Sequence, residues 1–287
     1  MRLSLAYAPP YDWAAMLGFL AARAVVGMEV VVEGVYSRSI GLNGLHGTVS
    51  IWPEAGNALA VELDFPDPLV VPEIVVRLRR MFDLDADVAL MQAHLANDPL
   101  LARLIAESPG LRIPGAWDGL ELAFRAVLGQ QITVVAAIRL AGKLVAQYGA
   151  PLASTVHGLT HVFPEAQVLA AADLAALGMP KSRGRTLSGV AQTLLDDPWL
   201  FAPNREGGVA LLLALHGIGE WTAQYIALRQ LRDLDGFPTG DVGLMRALEV
   251  LEGKRPTARE LSLRAEAWRP YRGYAAQLLW TSLSRAD

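Results

Sequence analysis

The sequence predicts an α+β fold, with a small antiparallel-sheet domain over residues 1–90 and an all-helical body over residues 91–287. Three observations predict it. Residues 28–65 hold β-branched, alternating runs separated by glycine-containing turn pairs. Beyond residue 90 the apolar residues recur at helical spacing and no convincing strand follows. Hydrophobic residues make up 53% of the 287-residue chain against 19% charged, ample apolar material for more than one core.

Tyr11 to Arg23 reads as a helix, with Asp12 as N-cap and Met16, Leu17 and Leu20 on one face. Met28–Tyr36, Thr48–Trp52 and Leu59–Phe65 read as strands, and Asn43-Gly44 and Gly56-Asn57 as hairpin turns. Pro72 to Leu84 is helical again, with Pro72 suited to a first turn. Prolines and glycines then divide residues 91–287 into intervals of one helix each, giving eight to ten helices.

The chain contains no cysteine, which excludes disulfides, thiolate nucleophiles, thiolate-held zinc and a cysteine-ligated iron–sulfur cluster. The first residues lack the apolar core of a signal peptide. The stretch Met16–Val26 is interrupted by Arg23 and too short to span a bilayer, so the chain reads as soluble and cytoplasmic, with no membrane partner. A net charge of −4 gives no basic footprint for nucleic acid, but backbone N–H groups and one local basic face can hold phosphate without it. His157 and His161 stand four residues apart, a spacing that suits a metal on a helix, yet Gly158 lies between them and no carboxylate-rich partner is evident.

The most informative segment is LLLALHGIGEWTAQYIALR, Leu211 to Arg229. Two helical stretches flank Gly217-Ile218-Gly219. Glycines there allow positive φ and close approach of another molecule, and the helix that follows directs its free N–H groups outward as an anion site. A Gly-x-Gly alone also fits an ordinary tight turn between core helices. Further on, Asp241 follows Pro238-Thr239-Gly240 and precedes an apolar helical run, a position that by itself describes an N-cap.

The hairpin pattern resembles that of the helix–hairpin–helix glycosylase superfamily, and within it the AlkA-type 3-methyladenine DNA glycosylases II. The resemblance runs in order through Pro9–Ala24, Pro109–Asp118, Ala126–Val134, Ala176–Arg183 and Trp268–Trp280. It implies a helix–hairpin–helix bundle, with its hairpin at about residues 206–230, that hydrolyses the N-glycosidic bond of alkylated bases in duplex DNA. Asp241 is the catalytic carboxylate by this resemblance, facing the positive charge that develops on the sugar. Asp118, Asp233 and Asp235 compete on residue type but not on motif position. Phe19, Trp221, Tyr225 and Trp280 match the aromatic base pocket, whose electron-rich faces would attract a cationic alkylated purine. For Phe19 a core role fits equally well. Gly217, Gly219 and Thr222 match phosphate-binding positions, and Gln130 and Gln131 the wedge that fills the gap left by a flipped base.

Trp221 stands where lyase-type relatives carry a Schiff-base lysine, so water is the expected nucleophile. Gln131 departs from the usual apolar wedge, and Val242 and Thr281 replace positions often aromatic, which predicts a roomier pocket. The resemblance implies no required cofactor. It does imply a Na+ or K+ ion on the backbone carbonyls of Leu213, Leu215 and Ile218. The expected partner is double-stranded DNA, bound by a monomer. A non-catalytic DNA-binding protein and a glycosylase for oxidised or deaminated bases are the rival readings. The first is opposed by the presence of Asp241, the second by the missing hairpin lysine and cysteines.

Overall fold

A computed structural model describes residues 1–286. Five strands form one antiparallel sheet in the order β1-β5-β4-β3-β2. They are β1 (Arg2–Ala6), β2 (Glu29–Val32), β3 (Val35–Leu42), β4 (Leu45–Glu54) and β5 (Ala58–Asp64). Asn43-Gly44 forms the expected β3–β4 turn with both residues at positive φ, 54° and 73°. The run Met28–Tyr36 is not one strand. Glu33 and Gly34, at φ 51° and 82°, turn the chain between β2 and β3. Strand β3 escapes the alternation rule because nearly all of it is buried, including Ser37, Arg38 and Ser39, with the helical body covering part of its length.

Two helices cover the sheet: α1 (Trp13–Ala21), capped by Asp12, and α2 (Val71–Met81), with Pro72 in its first turn. Tyr36, Ile40, Val49, Leu59, Ile74 and Phe82 are fully buried between them.

The remainder is not free of strands, contrary to the expectation above. β6 (Pro151–Val156) and β7 (Leu159–His161) form a hairpin. Its strands are short and largely exposed, so apolar alternation cannot mark them. Its turn, His157-Gly158 at φ 53° and 81°, lacks the usual Asn or Asp. The hairpin docks on the sheet domain, where Thr160 N and His161 N both donate to the Gly27 carbonyl and Ser39 Oγ donates to the His161 carbonyl at 2.6 Å. His157 and His161 therefore share no helix face, and among the described residues no cluster of His, Asp or Glu is placed to hold a metal.

Eleven α-helices are described after residue 87, against the eight to ten expected; the interval between Pro114-Gly115 and Gly149-Ala150-Pro151 holds two of them, residues 119–128 and 134–148. The first six are α3 (Val88–Leu95), α4 (Pro99–Glu107), α5 (Gly119–Leu128), α6 (Val134–Tyr148), α7 (Ala166–Ala171) and α8 (Lys181–Asp196). They are followed by α9 (Gly208–Leu213), α10 (Glu220–Ile226), α11 (Val242–Glu252), α12 (Ala258–Ala265) and α13 (Arg272–Ala286). Helix α10 runs on as a π-helical turn, Ala227–Leu231. The helices build two cores. One joins α5, α6, α8 and α10; the other joins α3 and α4 to α11–α13. Between these cores and the sheet domain lies a cavity of about 970 Å³.

Candidate active site

Four elements bring their ends to this cavity. Helix α1 supplies Phe19 and the turn that follows it Arg23, α10 and its π-helical extension supply Trp221, Tyr225 and Arg229, the start of α11 supplies Asp241, and α13 supplies Trp280. The four aromatic residues and the aspartate singled out in the sequence thus line one space, although they span residues 19 to 280.

Asp241 is both cap and cavity residue. Its Oδ1 accepts from Leu244 N at 2.8 Å, closing the first turn of α11, and from Trp280 Nε1 at 2.9 Å. Its Oδ2 accepts from Trp221 Nε1 at 2.6 Å. Among the described residues no Arg or Lys forms an ion pair with it, so its oxygens are met by neutral dipoles. Gly243 makes room for this arrangement, since a Cβ there would lie 2.9 Å from Asp241 Oδ1 and 3.4 Å from the Trp280 ring. The competing aspartates serve elsewhere. Asp118 caps α5, Asp235 pairs with Arg269 and Arg272, and Asp233 Oδ1 accepts from Asp235 N.

The rings are not open platforms. Trp221 and Tyr225 stack at 5.1 Å with 10° between planes, and Tyr225 meets Trp280 edge-on at 6.4 Å. The Arg229 guanidinium lies 4.4 Å over Phe19, 4.8 Å over Tyr225 and 5.5 Å over Trp280, and Arg23 lies 4.0 Å over Phe19. The sequence reading missed both arginines. The signal was present in the four-residue spacing Trp221–Tyr225–Arg229, which sets Arg229 on the aromatic face. Burial depresses the pKa of both: Arg229 falls to about 10 and Arg23 falls below its ordinary value. Gln277, also in the cavity wall, accepts from Arg229 and donates to Thr281 Oγ1.

The hairpin lies between α9 and α10. Gly217 has φ 81°, and a Cβ on it would strike Thr186 of α8 at 2.1 Å, so it is glycine for packing as well as for turning. Gly219 departs from expectation: its φ is −92°, an extended N-cap, and nothing lies within 4 Å of where its Cβ would be. It leaves space in front of the N–H groups of α10. Thr222 also departs, because its side chain is buried and its hydroxyl accepts from Gln130 Nε2 at 3.1 Å, leaving only its backbone N–H for an anion.

The same Gln130 amide donates to the Gly217 carbonyl at 3.1 Å, and the Gln130 carbonyl accepts from Arg183 at 2.6 Å. Gln130 thus stitches the α5–α6 loop to hairpin and α8, and that bond must break before it could act as a wedge. Gln131 is exposed at the loop tip with φ 59°. Of the hairpin carbonyls, that of Leu215 accepts from Ile218 N at 3.1 Å. Val242 is 62% exposed, outside the ring cluster.

Acidic residues are sparse in the segments around the hairpin, with Glu220 exposed in the first turn of α10. Residues 122–164, 174–195 and 207–219, which supply the α5–α6 loop, the start of α8 and the hairpin, contain no Asp or Glu. They do contain Arg139, Lys143, Lys181, Arg183 and Arg185.

Residues 2–118 match the AlkA N-terminal domain, and residues 124–272 match the HhH-GPD superfamily base excision DNA repair protein. The chain is 35% identical over 283 residues to "DNA-3-methyladenine glycosylase 2" of Escherichia coli, covering 96% of each. It is 40% identical to "Probable bifunctional transcriptional activator/DNA repair enzyme AlkA" of Mycobacterium tuberculosis, covering 99% of this chain and 57% of that protein. This chain therefore spans little more than half the length of that relative. A solved 3-methyladenine DNA-glycosylase from Archaeoglobus fulgidus superposes with a TM-score of 0.83 at 23% identity, over 98% of this chain and 97% of the other, which is a likeness of fold.

Proposed function

Because the chain belongs to the AlkA family of helix–hairpin–helix base excision DNA repair proteins, we propose that it is a monofunctional DNA glycosylase acting on alkylated bases in duplex DNA. The observation that carries this reading is the carboxylate of Asp241, aimed into a ring-lined cavity by two indole N–H groups. The duplex is gripped through phosphate by the hairpin and the first N–H groups of α10, and the damaged nucleotide swings into the cavity. Alkylation at N3 or N7 makes a purine a better leaving group. As the C1′–N bond breaks, its electron pair leaves with the base and the sugar gains oxocarbenium character, which Asp241 stabilises at short range. Water adds to C1′, one proton is released, and an abasic site remains. Trp221 offers no amine at the position of a lyase lysine, so no imine forms and the strand stays intact.

The protein acts as a monomer in the cytoplasm in this reading; among the described residues no helix is long and apolar enough to cross a membrane. No cofactor is needed for the steps above. The carbonyls of Leu213, Leu215 and Ile218 would hold Na+ or K+, because neutral backbone oxygens at a helix end suit a weakly bound alkali cation.

The test is incubation with alkylated duplex DNA, followed by analysis of free bases and of strand integrity. Release of 3-methyladenine and 7-methylguanine with intact, alkali-labile strands is expected. No released base, or a borohydride-trapped covalent adduct, overturns the reading.

A further inference from the structure

The rings of the cavity already hold a buried positive charge. Trp221, Tyr225 and Arg229 follow each other at one-turn intervals, so the Tyr225 ring lies between an indole and a guanidinium, with neither face left for a base. Phe19 carries Arg23 and Arg229, and Trp280 carries Arg229. Arg229 is 3% exposed and is held by the Pro114 carbonyl at 2.8 Å and Gln277 Oε1 at 3.3 Å, both uncharged. Among the described residues neither Arg229 nor Arg23 forms an ion pair. A guanidinium with its pKa near 10 stays charged at neutral pH.

A base entering this space therefore meets aromatic faces whose negative quadrupole is already engaged by cations. A second cation gains little attraction from such rings, and the guanidinium charges behind them oppose the pull of the Asp241 carboxylate in the same cavity. A neutral base with a carbonyl edge meets no such penalty.

We infer that Arg229, supported by Arg23, is a specificity-determining residue that handicaps formally cationic bases relative to neutral, carbonyl-bearing ones. This inference rests on the glycosylase reading above.

The experiment compares single-turnover excision of 7-methylguanine, a cationic base, with that of hypoxanthine, a neutral purine with a carbonyl, each in the same duplex. Removing one charge at pocket distance should raise the 7-methylguanine to hypoxanthine ratio about tenfold in Arg229→Gln. Most of the change should appear in the half-saturating enzyme concentration. Arg229→Lys, which keeps the charge, should hold the ratio near wild type even where overall rates fall. Arg23→Gln, whose side chain gives up a 3.4 Å hydrogen bond to the Phe19 carbonyl and its place over the Phe19 ring, should shift the ratio the same way by less, and it carries the test if Arg229→Gln does not fold. Equal loss on both bases, or a Lys variant that behaves like Gln, overturns the inference and leaves Arg229 a packing residue. A wild-type protein that excises neither base overturns the glycosylase reading instead.

Discussion

One cavity wall holds two kinds of carboxylate. At the ring end Asp241 is gripped by two indoles and a backbone N–H, all neutral. At the sheet end Glu29 and Glu121 are paired with Arg38 and Arg125, which join β2, β3 and α5 in a buried seam. Arg38 donates to Glu121 at 2.6 Å, and Tyr36 Oη donates to Glu29 at 2.6 Å. A carboxylate matched by guanidinium has its charge balanced in the ground state and adds architecture. A carboxylate held by dipoles keeps a field that a developing cation can use. Asp241 is half-buried, whereas Glu29 and Glu121 are buried, so depth of burial points to the structural carboxylates and not to the working one; the identity of the donors tells them apart.

The largest test removes the working charge. Asp241→Asn keeps a cap-competent side chain but no longer opposes positive charge on the sugar. Single-turnover excision should fall by about three orders of magnitude, while duplex binding, measured by fluorescence anisotropy, stays within about threefold. Retained turnover would place the catalytic charge elsewhere and dissolve the contrast between the two ends.

The next test breaks the seam. Glu121→Gln leaves Arg38 buried without its anion and should cost about 3–5 kcal/mol in urea denaturation. Excision per folded molecule should change little. The seam also has a pH signature. Burial opposes ionisation of Glu29, but Arg125, Arg38 and the Tyr36 hydroxyl together hold its carboxyl below the ordinary value of 4.5. In the window below that value the unfolded chain binds more protons than the folded one. The contribution of Glu29 is thus complete above about pH 4.5 and is lost as pH falls through the folded value. Denaturation midpoints should drop in acid for the wild type, and the acid limb should flatten in Glu29→Gln.

A smaller effect separates the donors from the charge they orient. Trp221→Phe keeps a ring against Tyr225 and deletes the 2.6 Å bond to Asp241. Loss of one N–H to a charged acceptor predicts a fall of roughly tenfold to a hundredfold in the single-turnover rate. A rate equal to wild type would reduce the indole to a packing surface.

The two ends also differ in how far the sequence reveals them. Asp241 and the hairpin sit in short local patterns, so their positions can be read from neighbours a few residues away. The seam cannot be read that way, because Glu29 and Arg125 are 96 residues apart and meet only once β2 has docked on α5. Arg229 was hidden differently: its spacing from Tyr225 was visible, but an arginine on an apolar face is expected to reach for solvent, and only the folded chain shows it under three rings. The β6–β7 hairpin was missed because exposed strands carry no apolar alternation. No local pattern announces the tie of Gln130 to the Gly217 carbonyl across 87 residues.

The smallest expected change lies at Gly243, where activity and stability should move apart. The residue stands in the first turn of α11, and its φ is not in the left-handed region, so the backbone accepts any side chain. Alanine is the better helix former by up to about 1 kcal/mol, and a purely structural site would gain from it. Yet the new Cβ would come within 2.9 Å of Asp241 Oδ1 and 3.4 Å of Trp280 Nε1, so the carboxylate or the indole has to give way. Gly243→Ala should therefore fold with unchanged or slightly higher stability and excise about threefold more slowly. An alanine variant as fast as the wild type would mean that the carboxylate tolerates displacement, and that donor geometry at this end of the cavity matters less than its charge.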